Sequence, residues 1–118
     1  LVAKDFRFGI GLSGGMSRSR WQDTARRVED FGYDILLVPD HLGAPAPFPT
    51  LLSAAEVTSI RLGTYVLNAG FYKPALLARD VTALDKLTGG RIELGLGAGY
   101  VKEEFEAAEL PFPSARSR

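Results

Sequence analysis

Apolar positions along this chain alternate between two spacings, and that alternation predicts the architecture. Phe6, Phe8 and Ile10 recur at every second residue, so Phe6–Leu12 is predicted as a first strand. A glycine- and serine-rich loop spans 13–18. Ser19 and Gln22 form a capping-box pair, which predicts a helix start at Ser19. Trp21, Ala25, Val28 and Phe31 then fall at helical spacing, and Gly32 ends the run. Ile35-Leu36-Leu37-Val38 is unbroken, as in a strand covered on both faces in a parallel sheet. Four prolines from Pro39 to Pro49 stiffen the next loop, and Pro49 suits the first turn of a short helix reaching Thr58. Ile60–Leu67 is a third strand. Pro74 opens a third helix, with Leu77, Val81 and Leu84 on one side. Ile92–Leu96 is a fourth strand, and 101–109 an amphipathic helix with Val101, Phe105 and Ala108 inward.

Strand and helix therefore alternate with short connectors, which implies crossovers and a parallel sheet. Two architectures use that order, a doubly wound open sheet and a (β/α) TIM-type barrel. A closed barrel takes eight strands and about 250 residues, so about four β/α units amount to half a barrel. Residues 1–110 form that unit and 111–118 a loose tail. The chain opens on Leu1 rather than methionine, which leaves a processed, trimmed or alternative start open.

The most informative stretch runs from Leu84 to Tyr100. Gly89 and Gly90 suit a helix C-terminus, because glycine enters the left-handed region at low cost. Gly95, Gly97 and Gly99 then leave the backbone bare along and beyond the fourth strand, where something flat could approach. A competing pattern, Gly9-Ile-Gly-Leu-Ser-Gly14, matches G-x-G-x-x-G after a strand. Its spacing argues against a dinucleotide site. Gly9 falls within the strand, and the predicted helix start comes five residues after Gly14, whereas the fingerprint packs its third glycine at the helix start.

Composition narrows the classes. With 46% hydrophobic residues among 118, the chain can bury a core. Fourteen basic residues balance fourteen acidic ones, so nothing points to nucleic acid or an anionic membrane. No cysteine and one histidine argue against a structural zinc site, and no metal is expected. No apolar run is long enough to span a bilayer and no signal-peptide pattern is seen, so a cytoplasmic soluble protein is the default expectation.

Several stretches together carry a family resemblance: Glu29-Asp-Phe-Gly-Tyr-Asp34, Val38-Pro-Asp-His41, Leu62-Gly-Thr-Tyr-Val-Leu-Asn68, Lys73-Pro-Ala-Leu-Leu-Ala-Arg79 and Gly89-Gly-Arg-Ile-Glu-Leu-Gly-Leu-Gly-Ala-Gly99. In that order and spacing the chain resembles the luciferase-like monooxygenase superfamily, whose fold is a (β/α)8 barrel. The Val-Pro-Asp-His form is most similar to the actinobacterial branch that uses the deazaflavin coenzyme F420; other members use FMN. The resemblance implies that Asp40 and His41 lie under the ring. His41 would exchange a proton with substrate during hydride transfer, and Asp40 would fix its tautomer or contact the cofactor. It also implies a non-proline cis peptide at Tyr65–Val66 supporting the ring. Asn68 would meet the cofactor's polar edge, and Gly97, Ala98 and Gly99 would bring main chain against it. Tyr100 stands where sugar-phosphate dehydrogenases of this branch place a Glu, a departure that counts against that substrate class. Glu103 and Glu104 read as solvated helix residues, and Trp21 as core.

Half a barrel leaves two strand edges and an apolar inner face. A homo-oligomer completing the barrel, a piece of a longer protein and an inactive remnant that self-associates all follow. The substrate, a small organic molecule, is left open.

Overall fold

The computed structural model describes residues 5–118, and the start at Leu1 lies outside them. Strand β1 (Gly9–Gly11) leads to helix α1 (Arg18–Asp30), and β2 (Ile35–Val38) to α2 (Pro47–Ala55). Next come β3 (Arg61–Thr64), a short β4 (Leu67–Asn68) and, after one 3-10 turn, α3 (Pro74–Leu87). Strands β5 (Ile92–Glu93) and β6 (Leu96–Gly97) precede α4 (Lys102–Ala107). Strands β1, β2, β3 and β5 pair in that order, all parallel, and β4 pairs with β6 in a second parallel ribbon.

Spatial order equals chain order, and the three longer helices cover one face. Leu36 and Val38 of β2 and Leu62 of β3 share a core with Trp21, Ala25 and Val28 of α1, Leu51 and Ala54 of α2 and Leu84 of α3. Leu36, Leu51 and Leu62 are fully buried; each such side chain contributes about 1.5–3 kcal/mol relative to exposure. A doubly wound sheet reverses strand order and carries helices on both faces. Neither feature is present among the described residues, and the architecture is a partial (β/α) barrel of about four units. The opposite face, with Gly9, Gly11, Ile35 and Leu37, borders an open cleft of about 610 Å³. In a closed barrel that side is packed interior.

Several boundaries differ from expectation for identifiable reasons. The first strand keeps only Gly9–Gly11, because β1 pairs on one side alone; Phe6 and Phe8 stand exposed rather than on a buried face. Helix α1 starts at Arg18 behind Ser17, not at Ser19. Gln22 closes no capping box; it is buried, and its Nε2 donates to Ser53 O at 3.1 Å and Glu56 Oε2 at 3.0 Å. Phe31 lies beyond the helix at its C-cap, exposed, while Gly32 ends the turn at φ 84° as expected. Helix α2 opens on Pro47 and ends at Ala55. The third and fourth strands each break in two, at Tyr65–Val66 and at Leu94–Gly95. Thr64 holds both breaks together, its Oγ1 donating to Gly95 O at 2.8 Å and accepting from Gly95 N at 3.0 Å.

Candidate functional site

The loops that leave the carboxyl ends of β2, β4 and β6 meet at one cleft of about 450 Å³. Asp40 and His41 form one side. Tyr65, Val66 and Asn68 form the second, and Gly97, Ala98, Gly99 and Tyr100 the third, with Glu104 closing the corner. The sequence-predicted residues are thus brought together, and barrel sites form at this end of the strands. The sharp turn between β3 and β4 presents Tyr65 and Val66, whose shared peptide is cis. Both side chains are exposed beside the cleft.

Asp40 is buried at 8% exposure and accepts a hydrogen bond from Asn68 N at 3.0 Å. Burial pushes its carboxyl above the usual range, and the neighbouring Glu104 charge adds to this. The Asn68 N–H, the Tyr72 hydroxyl and His41 act in the opposite sense. Tyr72, which the sequence did not single out, is itself pushed up to about 12 by burial and by the Asp40 charge. Asn68 borders the cleft but is 5% exposed. Its Oδ1 accepts from Gly70 N at 3.1 Å, so this side chain first caps the turn after β4.

The bare backbone of the β6 exit serves the protein before any ligand. A Cβ on Gly97 would come within 2.5 Å of Val66 Cγ2, and one on Gly99 within 2.5 Å of Asn68 Oδ1. Gly99 also holds φ at 75°, where side chains are disfavoured. A Cβ on Gly95 would run into the Thr64 carbonyl oxygen. These glycines let two strand exits close on each other, and Gly97, Ala98 and Gly99 border the cleft beside Tyr100.

Glu104 corrects the sequence reading. Glu103 is exposed, but the Glu104 side chain is only 16% exposed. Its oxygens lie 3.0 and 3.1 Å from His41 Nδ1, and Oε1 accepts from Leu42 N at 3.0 Å. The group that holds the imidazole is therefore Glu104; Asp40 is bonded to Asn68 N instead. A signal was present: Val101, Glu104, Phe105 and Ala108 stand at i, i+3, i+4 and i+7, which places this carboxylate on the apolar stripe. Tyr100 meets the His41 ring edge-on, with centroids 6.0 Å apart.

The fold places this cleft at the carboxyl end of the strands of a partial (β/α) barrel, and comparison with known proteins gives the family. The chain belongs to the luciferase-like monooxygenase family, whose profile matches residues 3–118. It is 37% identical over 115 residues to 4-hydroxyprotoasukamycin monooxygenase of Streptomyces nodosus subsp. asukaensis, covering 92% of this chain and 31% of that protein. The coenzyme F420 dependent tetrahydromethanopterin reductase of Methanopyrus kandleri superposes with a TM-score of 0.80 at 30% identity, covering 92% of this chain and 31% of that one. The 3,6-diketocamphane monooxygenase of Pseudomonas putida, in complex with FMN, shares the fold at a TM-score of 0.77 and 20% identity, over 88% of this chain and 32% of its own. The chain spans about a third of the length of the curated relatives it matches. No helix among the described residues is long and apolar enough to cross a membrane.

Proposed function

We propose that the cleft receives the flat ring system of coenzyme F420, and that the chain serves a luciferase-like oxidoreductase acting on a small organic substrate. The observation that carries this is the convergence of His41, the Tyr65–Val66 turn and the Gly97–Gly99 main chain on one cleft. The residues fit a ring of this kind. Tyr65, Val66 and Tyr100 offer exposed apolar surface, and Gly97 and Gly99 offer backbone without side chains. The tetrahydromethanopterin reductase, an F420-dependent relative at 30% identity, supports the deazaflavin. When bound, the ring accepts or supplies a hydride. His41, with a 40% exposed side chain at the cleft, takes or gives the proton that substrate oxidation or reduction requires. Asp40 braces the β4 exit through Asn68 N. FMN is the second reading, supported by the FMN complex that shares this fold.

The test is a fluorescence titration of the purified chain with oxidised and reduced F420, and with FMN. Saturable binding in the micromolar range, tighter for F420, is expected. Tighter FMN binding selects the second reading. No binding of either at high micromolar concentration overturns both, leaving a non-catalytic half-barrel.

A further inference from the structure

Glu104 reaches across 63 residues of sequence to the one histidine in the chain. A solvated helix carboxylate has no reason to be mostly covered, to grip Nδ1 with both oxygens and to take the Leu42 N–H as well. We propose that Glu104 is the positioning residue of the site: it holds the His41 ring with the proton on Nδ1 and leaves Nε2 as the proton-accepting nitrogen offered to the cleft. This deepens the oxidoreductase reading and rests on it for the use made of Nε2.

Donor and acceptor capacity sets the tautomer. An ionised carboxylate only accepts hydrogen bonds, so the nitrogen facing it must carry hydrogen. A neutral imidazole has one N–H, and placing it on Nδ1 makes Nε2 the acceptor. No hydrogen bond to Nε2 is made among the described residues. The other polar groups around the ring do not compete for Nδ1. Asp40 Oδ2 is taken by Asn68 N, and the Tyr100 ring approaches edge-on at 85°. The second bond, from Leu42 N, ties the start of α4 to the loop after β2 and keeps the carboxylate from swinging away.

A purely structural role would be met by that second bond alone and would not set the tautomer, so Glu104→Ala, read at the ring, tests the proposal. Glutamine does not, because Oε1 lies 3.0 Å from both Leu42 N and Nδ1 and an amide oxygen there accepts from both. Alanine leaves no acceptor at Nδ1, and the proton moves to Nε2, the nitrogen that a free histidine side chain prefers. Because His41 is the only histidine, ¹⁵N-histidine labelling gives a single ring, and two-bond ¹H–¹⁵N correlations of the neutral ring report the tautomer directly. In the unaltered chain Nδ1 is expected at the pyrrole-type shift and Nε2 at the pyridine-type shift; in Glu104→Ala the two exchange. An unaltered chain with the proton on Nε2 overturns the inference without any variant. So does a folded Glu104→Ala whose ring pattern is unchanged. The F420 titration is independent: a protonated Nδ1 in a chain that binds no ring keeps this inference and removes the functional reading, and the reverse result removes this inference alone.

Discussion

Toward the amino end of the sheet two arginines, Arg7 before β1 and Arg61 at the start of β3, hold the carboxylate of Glu93, the last residue of β5, its Oε1 2.5 Å from each, whereas Asp40 at the carboxyl end is met by a backbone N–H and a phenol. Hydrogen bonding from Arg7, then from Arg61, holds the Glu93 carboxyl below its usual range. Glu29, held low by the Ser59 hydroxyl and N–H, repeats the pattern. Arg91 is fixed there as well, donating to the Thr88, Thr58 and Ala55 carbonyl oxygens at 2.6–2.9 Å. Asp40 moves the other way, because burial outweighs its partners. Charges at the amino end tie strand starts to helix ends. At the carboxyl end an ionisable group is kept where folding alone disfavours its charge, as functional sites do.

Thr64 is where the two ends part, so Thr64→Val breaks the contrast most strongly. Valine keeps the shape but removes both bonds to Gly95 and leaves Gly95 N without its partner. Each part-buried bond lost costs about 0.5–1.5 kcal/mol, read as a lower urea midpoint. The loss should concentrate beyond the break: Leu67 N–H, bonded to Gly95 O at 2.8 Å, should exchange faster, while Leu62 N–H, bonded to Arg91 O at 3.0 Å, changes little. Equal loss of protection at both would show that the ends are one unit.

Asp40→Asn is expected to act less strongly and with opposite sign. Asp40 is raised above its unfolded value, so between the two values the folded chain binds more protons, and stability falls as pH rises through that window. Above it the folded state carries the whole cost of the buried charge. Asparagine keeps an oxygen for Asn68 N–H and never ionises. The variant should therefore unfold at higher urea than the unaltered chain at neutral pH, with the gap closing once pH drops below the ordinary carboxylate range. A variant less stable at neutral pH would mean that the Asp40 charge is stabilising, and the contrast with Glu93 would vanish.

How far the site could be read in advance follows from the range of each interaction. The buried run Ile35–Val38 and the glycine pair at 89–90 are local, and the structure has both, with Gly89 and Gly90 at φ 71° and 79°. The Asp-His dipeptide was legible because it directly follows a strand that the pattern already marked. The family resemblance marked the break at Tyr65–Val66, where the peptide is cis; the break at Leu94–Gly95 was not legible, since Thr64 and Gly95 show their meaning only when paired across 31 residues. Glu104 was misread although it shares the apolar stripe of 101–108, because its partners, His41 and Leu42, show only when the loop after β2 is laid against α4. The glycines at 95, 97 and 99 were seen as openings for a ligand; the atoms that fill most of that space belong to Thr64, Val66 and Asn68.

Glu93→Gln should give the smallest effect and the most diagnostic dependence on conditions. Glu93 is lowered, so its contribution is present above the unfolded value and is lost as pH falls through the folded one. Its partners are wet, with side chains 57% exposed at Arg7 and 41% at Arg61, so water and ions screen the pair. Glutamine should lower the urea midpoint slightly at neutral pH and low salt, and not at all at about 1 M salt, where the screening length is about 3 Å. Plotted against pH, the differences for Glu93→Gln and Asp40→Asn should diverge from a common origin in acid, one downward and one upward. A large Glu93→Gln loss that salt leaves intact would place this triad in the packed interior, and the amino end would then share the buried-charge chemistry reserved here for the cleft.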